Sequence, residues 1–278
     1  VISSAFKGKA PEAPPLPGEE EHLAAIIARP VATPAPEVAE AIGSGPFDPT
    51  DALPREQAIR LCDPEPMAVE NGWTRLPDGS IQVAFRTELP DLTAEMVEWW
   101  CDWHPQRDDR YRAWHPREHF GNRNLPGATN QARSYWGAVV FFDEDVGDGR
   151  SQLRTEFTSP MGFGMPGDPF ASGEVAAIIS ARVGDAYLIH TDMAHVFLNE
   201  GDGLVLRSRM WIAEHVRPRL PGPLAALEDI GESLASRKLV RDFAVPEGIG
   251  AAVALHGAEE HAQLNVILPG LYEEFAGA

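Results

Sequence analysis

The sequence predicts an α+β fold, a curved antiparallel sheet around one long C-terminal helix, with a small helical region at the N-terminus. Three observations lead there. Prolines crowd the start, with twelve of 25 in the first 66 residues. From about residue 70 to 216, short alternating runs of β-branched and aromatic residues follow one another between turn signals. The last stretch, 249–275, is long and amphipathic, interrupted only at Pro269. A sheet must cover its apolar face, and a single long helix is available to do it. The gap between the two would be a natural small-molecule cavity.

Taken in order, the elements begin with an arm. Proline fixes φ and removes an amide donor, so residues 1–66 should be short helices joined by extended links. EEEHLAAIIA (19–28) is acidic first and apolar later, as a helix macrodipole prefers. PEVAEAIG (36–43) and LPREQAIRL (53–61) are two further short helices. None can build a core alone, so 1–66 is expected to pack on something else, a second subunit included, which makes a homodimer the expected assembly. Residues 67–278 then form the main domain. NGWTRL and IQVAFRTEL flank a Pro-Asp-Gly-Ser turn and read as a hairpin. LTAEMVEWWCDWH (92–104) is a helix capped by Thr93 or Asp91, followed by a polar, His-rich connection to 134. Strands are predicted at 134–146, 151–160, 174–184, 186–200 and 203–216, with Asn-Glu-Gly-Asp-Gly as one hairpin turn. A helix at 223–240 precedes the terminal one.

Composition narrows the function. Asp and Glu number 42 against 23 Lys and Arg, a formal charge of −19. That excess repels a phosphate backbone or an anionic membrane, so no nucleic-acid or membrane partner is expected. Cys62 and Cys101 cannot make a disulfide framework or a thiolate-rich zinc site. No apolar run approaches the roughly 20 residues that span a bilayer. VISSAFKGKAPEAPP has no apolar stretch long enough for a signal peptide, so a cytoplasmic location is expected.

Chemistry-bearing residues cluster. His256 and Glu260 stand four apart in LHGAEEH, which places imidazole and carboxylate on one helix face. Val253, Leu264 and Ile267 share much of that face, so the pair should point inward. A His–Glu pair of this spacing is also common on helix surfaces and worth little there, so alone it identifies no metal. His115 and His119 in WHPREHF add imidazoles from a turn fixed by Pro116, His119 being the better ligand and His115 the better packing residue. Glu144, at the end of a strand, is a candidate carboxylate, with Glu156 in reserve; either would otherwise be a solvated strand acid. Together these supply the N/O set that zinc takes. His190-Thr-Asp192 allows another reading, the His-x-Asp of a non-haem Fe(II) oxygenase. No GxSxG elbow, P-loop or GxGxxG is present.

Three separated motifs, in the same order, carry a resemblance over about 70 to 278. WWCDWHPQRDDRYRAWHPREHF, MAHVFLNEGDGLVLRSRMW and HGAEEHAQLNVILPGLY are similar to the signature stretches of the 2,4-diacetylphloroglucinol hydrolase and phloretin hydrolase family. The resemblance implies a Bet v 1-like helix-grip domain with Zn²⁺ in its cavity. It also implies hydrolysis of the carbon–carbon bond between an acyl group and a phloroglucinol-type ring, with an acylated phenol as substrate. The family's metal set of two His and two Glu falls on His119, Glu144, His256 and Glu260. Its substrate-contacting Tyr and Asn fall on Tyr111 and Asn122, its pocket His on His195, and the neighbouring pocket positions on Met210 and Trp211. Met210 stands where diacetylphloroglucinol-cleaving members have a Tyr, which removes a hydroxyl from the expected pocket. A helix-grip module that only binds aromatic ligands is the further alternative.

Overall fold

Every strand predicted between 70 and 216 forms, and one more joins them. In the computed structural model, which describes residues 12–124, 133–147, 149–219 and 238–277, the strands are β1 (Gly72–Arg75), β2 (Ile81–Leu89), β3 (His119–Asn124), β4 (Val139–Glu144), β5 (Ser151–Thr158), β6 (Val175–Gly184), β7 (Leu188–Glu200) and β8 (Gly203–Pro218). They make one antiparallel sheet in the order β1-β2-β8-β7-β6-β5-β4-β3. Strands β3 to β8 therefore run as a meander, and the β1–β2 hairpin closes back onto β8. The helices are α1 (Glu19–Ile27), α2 (Pro36–Gly43), α3 (Ala94–Trp103), α4 (Asp108–Trp114), α5 (Pro160–Phe163), α6 (Lys238–Ala244) and α7 (Ile249–Phe275). The long α7 lies across the inner face of the sheet, which is the helix-grip arrangement.

Alternation decides what each strand shows to each side. On β8, Ser208 and Met210 face inward while Arg207, Arg209 and Trp211 face the outer layer. On β7, Met193, His195 and Phe197 face inward, and Ala194, Val196 and Leu198 join the outer cluster with Trp211. Helix α7 reaches the inner face because two glycines let it. A Cβ on Gly250 would lie 2.8 Å from the Trp73 ring, and one on Gly257 would lie 2.5 Å from the Phe85 ring. The two glycines are seven apart, two helical turns, so both fall on the contact face.

Several expectations are corrected. Helix α7 passes through Pro269 without a break; Leu264, Ile267, Leu268 and Leu271 are all buried around it, and that packing outweighs one lost backbone bond. The predicted helix at 53–61 is instead 3₁₀ structure over Arg55–Cys62, kinked at Gln57. The buried Gln82 amide holds its start, accepting from Leu53 N at 2.8 Å and donating to Leu53 O at 2.6 Å. The strand predicted at 134–146 begins only at Val139, after a turn that places Gly137 at φ 82°. The helix predicted at 223–240 falls outside the described residues up to 237; among the described residues, Lys238–Ala244 is helical.

The arm packs on its own chain. Leu23, Ile26, Val38 and Ile42 enter the main core beside α7, while Leu53, and Ala58 and Leu61 of the 3₁₀ segment, cover the outer face of the sheet. One buried ion pair ties it down. Glu19, 0% exposed, accepts from Arg110 Nε and, at 3.1 Å, from Arg110 Nη2. The guanidinium also sits 4.3 Å over the Trp103 ring. Glu19→Ala strands that charge, so urea unfolding should show a loss of about 3–5 kcal/mol. A loss below about 1 kcal/mol would mean the pair does not anchor the arm.

Candidate active site

Four ligand atoms converge where α7, β3 and β4 meet. His119 Nε2 lies 3.6 Å from Glu144 Oε2 and 3.5 Å from Glu260 Oε2, and His256 Nε2 lies 3.7 Å from the same Glu260 oxygen. His119, Glu144 and His256 each offer an atom within 4.8 Å of the others. These separations are too long for good hydrogen bonds. They are close to the edge of a tetrahedron around zinc, about 3.3–3.4 Å for bonds of about 2.0–2.1 Å. His119 Nε2 is buried and has no hydrogen-bond partner, which marks an atom placed to ligate. The donor set of two imidazoles and two carboxylates fits Zn²⁺ chemistry.

Local sequence explains each placement. Pro116 sits in the turn that brings His119 N to His115 O at 2.8 Å. A bulge between His119 and Gly121 then lets His119 stand directly across from Glu144 in the β3–β4 register. On α7, the i, i+4 spacing sets His256 and Glu260 toward the same point.

The outer contacts fix the rings. His119 Nδ1 donates to Tyr111 O at 3.1 Å, and His256 Nδ1 donates to Glu118 Oε2 at 2.6 Å, leaving each Nε2 for the centre. Tyr111 stacks on His119 at 4.0 Å and donates its hydroxyl to Glu144 Oε2. Trp114 Nε1 donates to Glu260 O at 2.8 Å. Behind His256 stands His115, fully buried, with Nε2 3.2 Å from Glu259 Oε2.

Burial and charge set the protonation. Burial raises Glu260, and the charges of Glu144 and Glu118 add to that against His256, giving about 8. Burial alone would lower His256, but the Glu118 hydrogen bond and the charges of Glu260 and Glu144 prevail and lift it to about 9. Burial, with His256 and His115 nearby, holds His119 well below its ordinary value.

The centre opens on a cavity of about 350 Å³ between sheet and helix. Its wall is mostly apolar and aromatic, with Trp100, Phe142, Phe157, Phe197, Met193 and Met210 among the lining residues. His195 faces the same space, its Nδ1 2.7 Å from Ser208 Oγ. Burial, then the neighbouring His261, pushes its pKa well below the usual histidine value.

Some expected site residues lie elsewhere. Trp211 points to the outer layer, where Nε1 donates to Leu53 O at 2.9 Å; alternation on β8 puts it opposite Met210. Asn122 does not line the cavity, because α4 covers it and its Nδ2 donates to Arg107 O at 3.0 Å. Glu156 faces away, bound by Arg219 at 2.8 Å. The oxygenase reading also fails on geometry. His190 lines the cavity, but bulges near it leave Asp192 on the outer side, 3.0 Å from Arg55 Nε. Tyr111 does line the cavity, although its hydroxyl is engaged with Glu144 rather than open to a ligand.

The family model for the DAPG hydrolase PhiG domain matches residues 53–273. The chain belongs to this DAPG hydrolase family. It is 30% identical over 250 residues to 2,4-diacetylphloroglucinol hydrolase of Pseudomonas protegens, covering 84% of this chain and 78% of that one. It is 28% identical over 251 residues to phloretin hydrolase of Eubacterium ramulus, covering 86% of each. Among solved structures it is similar to the Zhui aromatase/cyclase of Streptomyces sp. R1128, at 15% identity and a TM-score of 0.40, covering 72% of this chain and 99% of that one. The fold assignment rests on the chain's own strand order and on α7.

Four polar residues around the centre were absent from the sequence reading: Glu118, Ser208, Glu259 and His261. Glu118 stands next to His119 and Glu259 next to Glu260, within the motifs already singled out, and their reach to His256 and His115 depends on how α7 meets the 115–118 turn.

Two outcomes are expected. A metal must displace the protons held by His256 and Glu260 at pH 7, so apparent Zn²⁺ affinity should rise by on the order of tenfold or more per pH unit from pH 6 to 8. Chelator competition across that range measures it, and a flat profile would contradict these protonation states. Glu118→Ala, which frees the His256 ring, should weaken Zn²⁺ binding by about 10–100-fold in the same assay while the far-ultraviolet circular dichroism stays unchanged.

Proposed function

We propose that this protein is a zinc-dependent hydrolase that cleaves the carbon–carbon bond between an acyl group and a phloroglucinol-type phenolic ring. The observation that carries the reading is the convergence of His119, Glu144, His256 and Glu260 at the head of an aromatic-lined cavity, in a chain of the DAPG hydrolase family. Relatives named for hydrolysis of 2,4-diacetylphloroglucinol and of phloretin support the substrate class.

The reaction consumes one water: the acyl arene and water give the arene, now carrying hydrogen at that carbon, and a carboxylic acid. An aryl carbanion is too poor a leaving group for direct scission. A ring hydroxyl offers the way out. When the ring gains a proton at the acyl-bearing carbon and the hydroxyl loses its own, the substrate becomes a β-diketone tautomer. Addition of water to the acyl carbonyl then lets the carbon–carbon electron pair return into the ring, and the phenolate is the sink. Zinc, when bound by the four residues, supplies Lewis-acid polarisation and lowers the pKa of water.

The chain's own residues do the rest. His195 is neutral at rest because it is buried. In the tautomer whose Nδ1–H donates to Ser208 Oγ, Nε2 is the acceptor that takes the phenolic proton. Tyr111 keeps Glu144 oriented through its hydroxyl. Trp100, Phe142 and Phe157 hold the flat ring and exclude bulk water. Met210 provides surface without a hydroxyl, so ring orientation falls to the histidines.

The test has two parts. Elemental analysis of protein purified without added metal should find zinc, and His256→Ala protein should retain under about a tenth of it, given how steeply affinity falls when a ligand is lost. Mass analysis of incubations with a panel of acylphloroglucinols should show deacylated ring and free acid, with His256→Ala slower by on the order of 10³-fold or more. Full metal content in that variant, or binding of the panel without cleavage by wild type, would overturn the proposal.

A further inference from the structure

His261 follows the ligand Glu260 directly on α7, yet it belongs to none of the four positions of the metal set. Its ring is 2% exposed and lines the same cavity. Nδ1 lies 2.8 Å from Gly257 O, the carbonyl one turn back on its own helix. A carbonyl only accepts, so Nδ1 carries the proton, and Nε2 presents a lone pair. The ring is held in that orientation by aromatic neighbours: Phe85 at 5.7 Å, Trp114 edge-on at 5.7 Å, and His195 at 5.0 Å between centroids. His195 has its own Nδ1 2.7 Å from Ser208 Oγ, so its Nε2 is the ring nitrogen left for the cavity, as acceptor or as donor according to the serine's role. Two imidazoles, one from the sheet and one from the helix, thus meet at one end of a mostly apolar space.

We propose that His261 is a specificity-determining residue: its fixed Nε2 accepts a hydrogen bond from a phenolic hydroxyl of the ligand, next to the hydroxyl engaged by His195. The inference rests on the acylphenol reading above. It narrows that reading to rings with two free hydroxyls. Converting one of them to an ether removes the donor and leaves a buried acceptor unpaired, which a site of this kind penalises heavily. The cluster of His195, Glu260 and His261, whose ligand atoms lie within 4.8 Å of one another, has one other occupant to test, a second cation.

The experiment measures binding of trihydroxyacetophenone and its mono-O-methyl ethers by calorimetry to zinc-loaded wild type, His261→Phe and His261→Gln, with metal content determined for each. Wild type should prefer the parent over the ether blocked at the anchored hydroxyl by on the order of tenfold or more. In His261→Phe that preference should collapse toward one through weaker binding of the parent. His261→Gln, whose side-chain carbonyl still accepts, should recover part of it. In turnover, KM for the parent should rise in His261→Phe much more than kcat falls. An unchanged hydroxyl-to-ether ratio in His261→Phe, or no binding of the parent by wild type, overturns the proposal. So does a drop from two zinc equivalents to one, which would make His261 a metal ligand. Absence of cleavage by wild type would sink the hydrolase reading, while the binding ratio still decides the role of His261.

Discussion

Two carboxylates and two imidazoles brought together inside an apolar shell cannot simply be left there. Charge in a low-dielectric interior must be paired, protonated or bound to a cation. Without a cation, the surroundings favour the protonated solution: burial and its acidic neighbours push the Glu260 carboxyl up to about 8, and the Glu118 hydrogen bond with the nearby carboxylates lifts His256 to about 9. A divalent cation would replace both protons and satisfy the His119 Nε2 that has no partner. The rest of the architecture follows from the need to bring these groups to one point. The 115–118 turn, the bulge at β3 and the crossing of α7 are three separate devices aimed at it.

The supporting contacts form a graded shell. Tyr111 steadies Glu144, Glu118 steadies His256, and Trp114 binds the backbone at Glu260. Beyond these, the arm contributes stability without approaching the chemistry. Glu19 holds Arg110 on the helix that carries Tyr111, so an N-terminal residue acts on the centre through two steps of packing. The outer face uses a similar device, since Arg55 holds Asp192 and lies 3.7 Å over the Phe163 ring.

Much of this was legible in the chain itself. Strand alternation, the Pro-Asp-Gly-Ser turn and the amphipathic terminus specify the sheet and α7, because each is a local pattern long enough to register. Helix α4 and strand β3 were not legible. DDRYRAW has only seven residues, and HFGNRN lacks the β-branched alternation of a strand; it is held by pairing with β4 and by the Asn122 and Asn124 amides on Arg107 and Pro105 carbonyls. The proximity of His119, Glu144, His256 and Glu260 was legible through the family resemblance, with the i, i+4 spacing placing the last two on one helix face. What failed was orientation. Trp211 and Asn122 sit at the right places in the chain and have their side chains engaged elsewhere. His190 and Asp192 are two apart, so a regular strand would put them on one face; a bulge undoes that. His261 escaped notice because its meaning depends on a hydrogen bond to Gly257.

The flush contact of α7 on the sheet has a further bearing on how this scaffold can diversify. With Gly250 against Trp73 and Gly257 against Phe85, the helix is already seated as close as backbone allows, and its height above the strands is not an adjustable quantity. Tilting it to enlarge the chamber would drag His256 and Glu260 with it. Val97 and Cys101 of α3, Phe157 of β5 and Ile179 of β6 also line the chamber and sit on elements that carry neither His256 nor Glu260, so its shape can change there without moving the helix. Differences in chamber shape among kindred proteins should accumulate at such positions, while the helix keeps its pair of glycines.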